Sequence, residues 1–147
     1  MHLAARTGRV RSLRYEQPFF LFNDTLAVML KYSTGIRSPW AFTFTPEEQE
    51  QLQKSASGYQ TAIGLICGAD GVAALTYESF LAVAAPREAA LHLACFRRHG
   101  EHYELSGPDG KLKRKIAPSN WQKILENHGG NGEALGAGFG SVEKADW

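Results

Sequence analysis

The chain has 147 residues, of which 44% are hydrophobic, 11% aromatic and 21% charged, a composition typical of globular proteins with an apolar core. Sixteen Lys and Arg residues against fifteen Asp and Glu residues give a formal net charge of +1 at pH 7, which is far from the basic balance of a dedicated nucleic-acid-binding domain. No stretch approaches the roughly 20 apolar residues of a membrane span, and the first residues lack the continuous apolar segment of a secretory signal. The sequence therefore predicts a cytoplasmic protein that does not enter a membrane.

Strand patterns dominate the sequence. Apolar or alternating runs predict strands at residues 18–22, 25–32, 39–45, 59–67, 72–75, 89–97, 102–106 and 111–116. Asn23 with Asp24, and Asp70 with Gly71, are turn-forming pairs between neighbouring runs. These features predict hairpins and hence antiparallel pairing.

Three short helices are predicted among the strands. Thr45 and Glu48 form a capping box, with Pro46 at the first helical position, and predict a helix over residues 46–57. Thr76 caps a second helix that ends near residue 85, and apolar residues at helical spacing follow Ser119. The sequence thus predicts an α+β fold, mainly an antiparallel β-sheet with two or three short helices packed on or beside it.

The domain organisation follows from where these patterns end. We expect one globular domain over residues 1–127. Residues 128–147 contain six glycines and no periodicity, which predicts a flexible tail.

A basic zone near the end of the predicted domain is the main candidate for function. Period-two spacing in the predicted strand 111–116 would project three ammonium groups together, about 7 Å apart. Together with two arginines from a neighbouring strand, they could follow a nucleic-acid backbone. The residues concerned are Arg97, Arg98, Lys111, Lys113 and Lys115. The alternative is an exposed edge strand that lysines protect from aggregation.

The aromatic residues Trp40, Phe42 and Phe44 share one face of a predicted strand. Such a row can stack nucleic-acid bases, but burial in the core is the favoured interpretation because large aromatic side chains are usually inside. A third alternative makes this row, or the apolar helix face at residues 80–85, a contact in a homo-oligomer or with a protein partner.

A divergent Mg²⁺-dependent nuclease is the alternative from the enzyme class. It would use Glu16, Asp24 and Lys31, since carboxylates hold Mg²⁺ and a lysine polarises the attacking water. Met29 stands where a second acid is expected, so the metal cage is incomplete.

Cysteines and histidines give no stronger signal. Cys67 and Cys95 lie in apolar runs, which predicts two buried, reduced thiols, with an interstrand disulfide as the alternative. His92 and Cys95 fall on opposite faces of one predicted strand, which argues against zinc. We therefore predict no metal and no cofactor, Mg²⁺ being required only by the nuclease alternative.

The leading hypothesis is a small, non-enzymatic binding module that contacts nucleic acid weakly through its basic strand surface.

Overall fold

A computed structural model describes residues 10–12, 19–22, 25–98 and 100–127, and of residues 10–12 only the backbone. The strands are β1 (Val10–Ser12), β2 (Phe19–Phe22), β3 (Leu26–Ser33), β4 (Trp40–Phe44), β5 (Gln60–Cys67), β6 (Gly71–Thr76), β7 (Leu91–Phe96), β8 (Glu104–Gly107) and β9 (Gly110–Lys111). The helices are α1 (Pro46–Ala56), α2 (Tyr77–Val83) and α3 (Asn120–Asn127). The tail predicted at residues 128–147 lies outside the described residues. Among the residues that are described, no helix is long and apolar enough to cross a membrane.

The strands form two sheets. One has the order β1-β2-β3-β5-β6, and the other has the order β4-β7-β8-β9. Neighbouring strands are antiparallel except β3 and β5, which are parallel and are joined through β4 and α1. A parallel pair needs such a long crossover. The predicted α+β class with mainly antiparallel pairing is confirmed, although the strands divide between two sheets.

The main core lies between the two sheets. Strands β4 and β7 alternate buried and exposed residues along their length, as expected for strands with one face on a core. Trp40, Phe42 and Phe44 are 3%, 2% and 0% exposed, which confirms their predicted burial. Phe80 and Val83 of α2 enter the same core. These five side chains are therefore part of the core and do not form an exposed surface for base stacking or for a subunit contact.

Helix α3 covers the opposite face of the five-stranded sheet. Ile124 and Leu125 are buried there in a second apolar cluster with residues of β3, β5 and β6, as their helical spacing predicted. Gly64 permits this close packing, because a Cβ atom there would lie 3.1 Å from the Trp121 ring.

The predicted capping box fixes the start of α1. The Thr45 hydroxyl accepts a hydrogen bond from the Glu48 amide, and the Glu48 side chain accepts one from the Thr45 amide. Leu52 is fully buried. The buried Gln49 side chain donates to the carbonyls of Phe44 and Ala89. Helix α1 is thereby joined both to the end of β4 and to the segment before β7.

The predicted strand at residues 111–116 is wrong in extent. Strand β9 ends at Lys111, residues 113 and 114 form a bend, and pairing resumes at a single bridge between Tyr103 and Ile116. Leu112 and Ile116 pack on the core. The alternating pattern in the sequence therefore reflects two separate apolar contacts with the core and not a continuous strand. The three lysines of this segment do not project from one strand face.

Gly68 provides a test of the fold beside the turn after β5. Its φ is +55°, and a Cβ atom there would lie 2.3 Å from the Gly35 carbonyl oxygen. We expect Gly68→Ala to lower the free energy of unfolding by about 3 kcal/mol, because it adds a strained backbone to a backbone clash. Urea denaturation measures the change.

Gly58→Ala is the matched control, since nothing lies within 4 Å of its added Cβ and its φ is not in the left-handed region. We expect it to be neutral or to stabilise by about 0.5 kcal/mol. Equal effects of the two substitutions would contradict the close approach at Gly68.

Candidate anion-binding site

A cavity of about 370 Å³ lies where one end of each sheet meets the connection between β3 and β4. Its walls come from that connection, from the turn between β5 and β6, and from the segment that follows β7. The lining residues are Ile36, Arg37, Ser38, Trp40, Asp70, Arg97, Arg98 and Gly100. Three arginines and one carboxylate therefore share one concave surface.

The connection that carries Arg37 is anchored at both ends. The Trp40 indole Nε1 donates to the Gly35 carbonyl over 2.9 Å, and the Ser38 hydroxyl donates to the Arg97 carbonyl over 3.1 Å. Because these bonds fix the backbone on both sides, Ile36 and Arg37 occupy a defined place. Ile36 is 91% exposed, so an apolar side chain stands in solvent at the rim.

A hydrogen-bonded network forms the floor of the cavity. Asp70 Oδ2 accepts from Arg97 Nη1 over 2.8 Å and from the Tyr103 hydroxyl over 2.7 Å. The Arg97 guanidinium also lies over the Tyr103 ring, 5.1 Å from its centroid, and its Nε donates to the Glu101 carbonyl. Arg97 is therefore held in place with its charge balanced by Asp70.

The network also controls protonation. Burial, and then the hydrogen bond to Asp70, raises the pKa of Tyr103 above its ordinary value. The hydrogen bond to Asp70 raises the pKa of Arg97. Both groups hold their protons more tightly than usual, and each donates a hydrogen bond to the carboxylate.

Two guanidinium groups at this cavity carry unbalanced charge. Arg37 and Arg98 are exposed, and neither side chain has an ion-pair or hydrogen-bond partner among residues 19–22, 25–98 and 100–127. Since Arg97 and Asp70 compensate each other, the lining carries a net positive charge. Planar guanidinium groups bind phosphate and carboxylate oxygens in pairs, so the arrangement suits an oxyanion.

The structure pairs three of the five predicted basic residues with acids. Arg97 pairs with Asp70, Lys111 with Glu104 at 3.2 Å, and Lys115 with both Glu104 and Glu101 at 3.3 and 3.4 Å. These contacts lower the pKa of Glu104 and raise that of Lys115. Within the described part of the chain, the side chains of Arg98 and Lys113 make no ion pair.

Sequence reasoning missed Arg37 and the acidic partners. Glu101 and Glu104 stand inside the basic zone in the sequence, so their pairing could have been anticipated from the hairpin. Arg37 gave no comparable signal, because it is brought to Arg98 by contacts between distant segments.

The residues of the nuclease alternative are only partly described. Lys31 donates to both carboxylate oxygens of Glu48 at 2.8 Å and lies over the Phe44 ring, a structural contact between β3 and α1. Glu16 and Asp24 lie outside the described residues, so their approach to Lys31 stays a prediction. No group of three His, Cys, Asp or Glu side chains among the residues that the structure describes could hold a metal ion.

A second depression, of about 440 Å³, lies on the outer face of β4, β7 and β8. Small and apolar residues line most of it, and its arginine, Arg87, is already paired with Asp109. It therefore offers less to an anion than the first cavity does.

Comparison of the chain with protein-family models, curated proteins and solved structures found no match.

The hydrogen bond from Tyr103 to Asp70 makes stability depend on pH in a specific way. Near pH 8, we expect Tyr103→Phe to lower the free energy of unfolding by about 1 kcal/mol, the usual contribution of one hydrogen bond. Above pH ~10 the unfolded chain loses the tyrosine proton while the folded chain keeps it, so the wild type loses stability as the pH rises.

The difference between wild type and Tyr103→Phe should therefore shrink between about pH 9 and pH 11, as measured by urea denaturation at each pH. A difference that stays constant across this range would show that Tyr103 ionises equally in both states.

Proposed function

We propose that this chain is a non-enzymatic binding module that holds the phosphate backbone of single-stranded nucleic acid at the cavity between Arg37 and Arg98. The observation that carries this proposal is that two exposed guanidinium groups line one cavity and have no ion-pair partner among the described residues. Each can donate two parallel hydrogen bonds to one phosphate. Neither guanidinium group has to leave an ion pair with a described residue in order to bind phosphate.

The shape and the apolar rim of the cavity favour a single strand over a duplex. A single strand can bend a phosphate into a concave site and turn its bases outward, whereas a duplex presents its phosphates on a stiff, convex surface. Ile36 offers an exposed apolar side chain beside Arg37, against which the face of an unstacked base can pack.

The neighbouring lysines extend this surface but bind phosphate more weakly than the two arginines. Lys111 and Lys115 are 67% and 47% exposed at their side chains but already contact Glu104. An exposed ion pair contributes about 0–1 kcal/mol, so phosphate can displace Glu104 but gains little by doing so. Binding is therefore expected to be weak and to depend mainly on Arg37 and Arg98.

Fluorescence anisotropy with a labelled oligothymidylate, and with a duplex of equal length, tests the proposal across a salt series. We expect Arg37→Gln and Arg98→Gln each to weaken single-strand binding by about 3- to 10-fold at low salt. Each should reduce the slope of log K against log salt by about 0.7, the contribution of one phosphate contact. Lys54→Gln removes the same charge from the exposed end of α1 and should leave the slope unchanged.

Several outcomes would contradict the proposal. Absence of binding at low salt would overturn it. If Arg98→Gln and Lys54→Gln weakened single-strand binding equally, the cavity would not be the binding site. Equal affinity for the duplex would overturn the preference for single strands. A gel of the same samples with Mg²⁺ tests for cleavage of the oligonucleotide. Cleavage that Lys31→Met abolishes would replace this proposal by the nuclease alternative.

A charge-removing substitution should act in the opposite direction. Glu104→Gln takes the shared acceptor from Lys111 and Lys115, so the Lys111 ammonium group becomes available to phosphate, while Lys115 keeps its contact with Glu101. We expect a 2- to 5-fold increase in single-strand affinity at low salt and a steeper salt dependence, about one phosphate contact greater. The same anisotropy titration measures both.

Glu50→Gln is the matched control, since it removes the same charge from an exposed position on α1. If the two substitutions raise the affinity equally, the gain reflects net charge alone, and the lysines are not part of the binding surface.

A further inference from the structure

Two cysteine side chains meet in the main core. Cys67 lies at the end of β5 in one sheet, and Cys95 lies on β7 in the other. Both are 0% exposed, and their Sγ atoms are 3.9 Å apart. The two thiols are therefore in direct contact across the interface between the sheets, not on neighbouring strands.

Each cysteine lies near the end of its strand. Cys67 is the last residue of β5 and Cys95 the penultimate residue of β7. Because strand ends open more readily than strand centres, we expect a small reagent to reach the two buried thiols by local opening, without global unfolding. The hydrogen bond with Cys67, together with burial, raises the pKa of Cys95, which makes reaction slow at neutral pH.

We propose that Cys67 and Cys95 form a disulfide in the folded protein by thiol–disulfide exchange with a low-molecular-weight disulfide of the glutathione type. One cysteine thiolate attacks the small disulfide, which gives a mixed disulfide and releases one small thiol. The second cysteine attacks the mixed disulfide at the protein sulfur and releases the other small thiol. The protein is oxidised by two electrons and loses two protons, and the small disulfide is reduced to two thiols.

The bond would act on the walls of the cavity. Asp70 follows Cys67 by three residues in the turn after β5, and Arg97 follows Cys95 by two. A bond between the sulfurs, about 2.05 Å long, would tie together the two segments that carry the ion pair between Asp70 and Arg97. This inference does not depend on the identity of the ligand, so it stands or falls separately from the proposed function.

An equilibrium measurement tests the inference independently of slow access. Reduced protein, and protein oxidised in urea and then refolded, are brought to equilibrium in buffers of varied glutathione ratio, with and without urea. Acid quenching, alkylation and mass spectrometry give the fraction of protein disulfide. If the native core favours the bond, the ratio of disulfide to dithiol at a given buffer should be at least 10-fold greater without urea than with it.

Thermal denaturation gives a second readout. The cysteines are 28 residues apart in sequence, so the oxidised form should melt roughly 5–10 °C above the reduced form. Cys67→Ala and Cys95→Ala, which exclude the intramolecular bond, should show no such rise under the same oxidising buffer. A lower disulfide fraction in the native protein than in urea, or a lower melting temperature on oxidation, would overturn the inference.

Discussion

The packing of one sheet face against the other is the constraint on which the rest of the structure depends. A two-residue alternation places Trp40, Phe42 and Phe44 on one side of β4, and this side is buried because the other sheet packs over it. The parallel pairing of β3 with β5 supplies that cover, because the chain leaves the first sheet after β3 to form β4 and returns through α1. The connection at the start of this excursion carries Arg37. The position of the candidate site therefore follows from the route that the chain takes between the sheets.

The polar network at the cavity follows from the same packing. Tyr103 is fully buried and makes an edge contact with Trp40 in the core, and a buried hydroxyl needs a partner. Asp70 supplies it, and the carboxylate in turn attracts Arg97. Because this arginine pairs with Asp70, the other two arginines have no further acid among the described residues that line the cavity. A requirement of the core thus determines which cations are available at the surface.

Local features could be predicted from the sequence, and long-range ones could not. The capping box at Thr45, the burial of the aromatic row, the turn at Asp70 and the apolar face of α3 each depend on residues within a few positions of one another. The division into two sheets and the parallel pair depend on competition between distant segments, about which periodicity carries no information. The prediction of a continuous strand over residues 111–116 failed for a related reason. Ile116 is buried and Leu112 is partly buried against the same core, as alternation requires, although the chain bends between them.

The site illustrates why net charge was a poor guide to binding in this chain. The overall charge of +1 excludes a strongly basic surface but not a local excess of positive charge, because interactions between exposed charges are screened within about 8–10 Å at ordinary ionic strength. The basic zone that is conspicuous in the sequence is largely compensated, with Glu101 and Glu104 beside its lysines. The excess instead arises where Arg37, a single basic residue in its segment, lines the same cavity as Arg98. What decides the capacity to bind an anion here is the number of cations left without an acid by the fold, and that number depends on tertiary contacts.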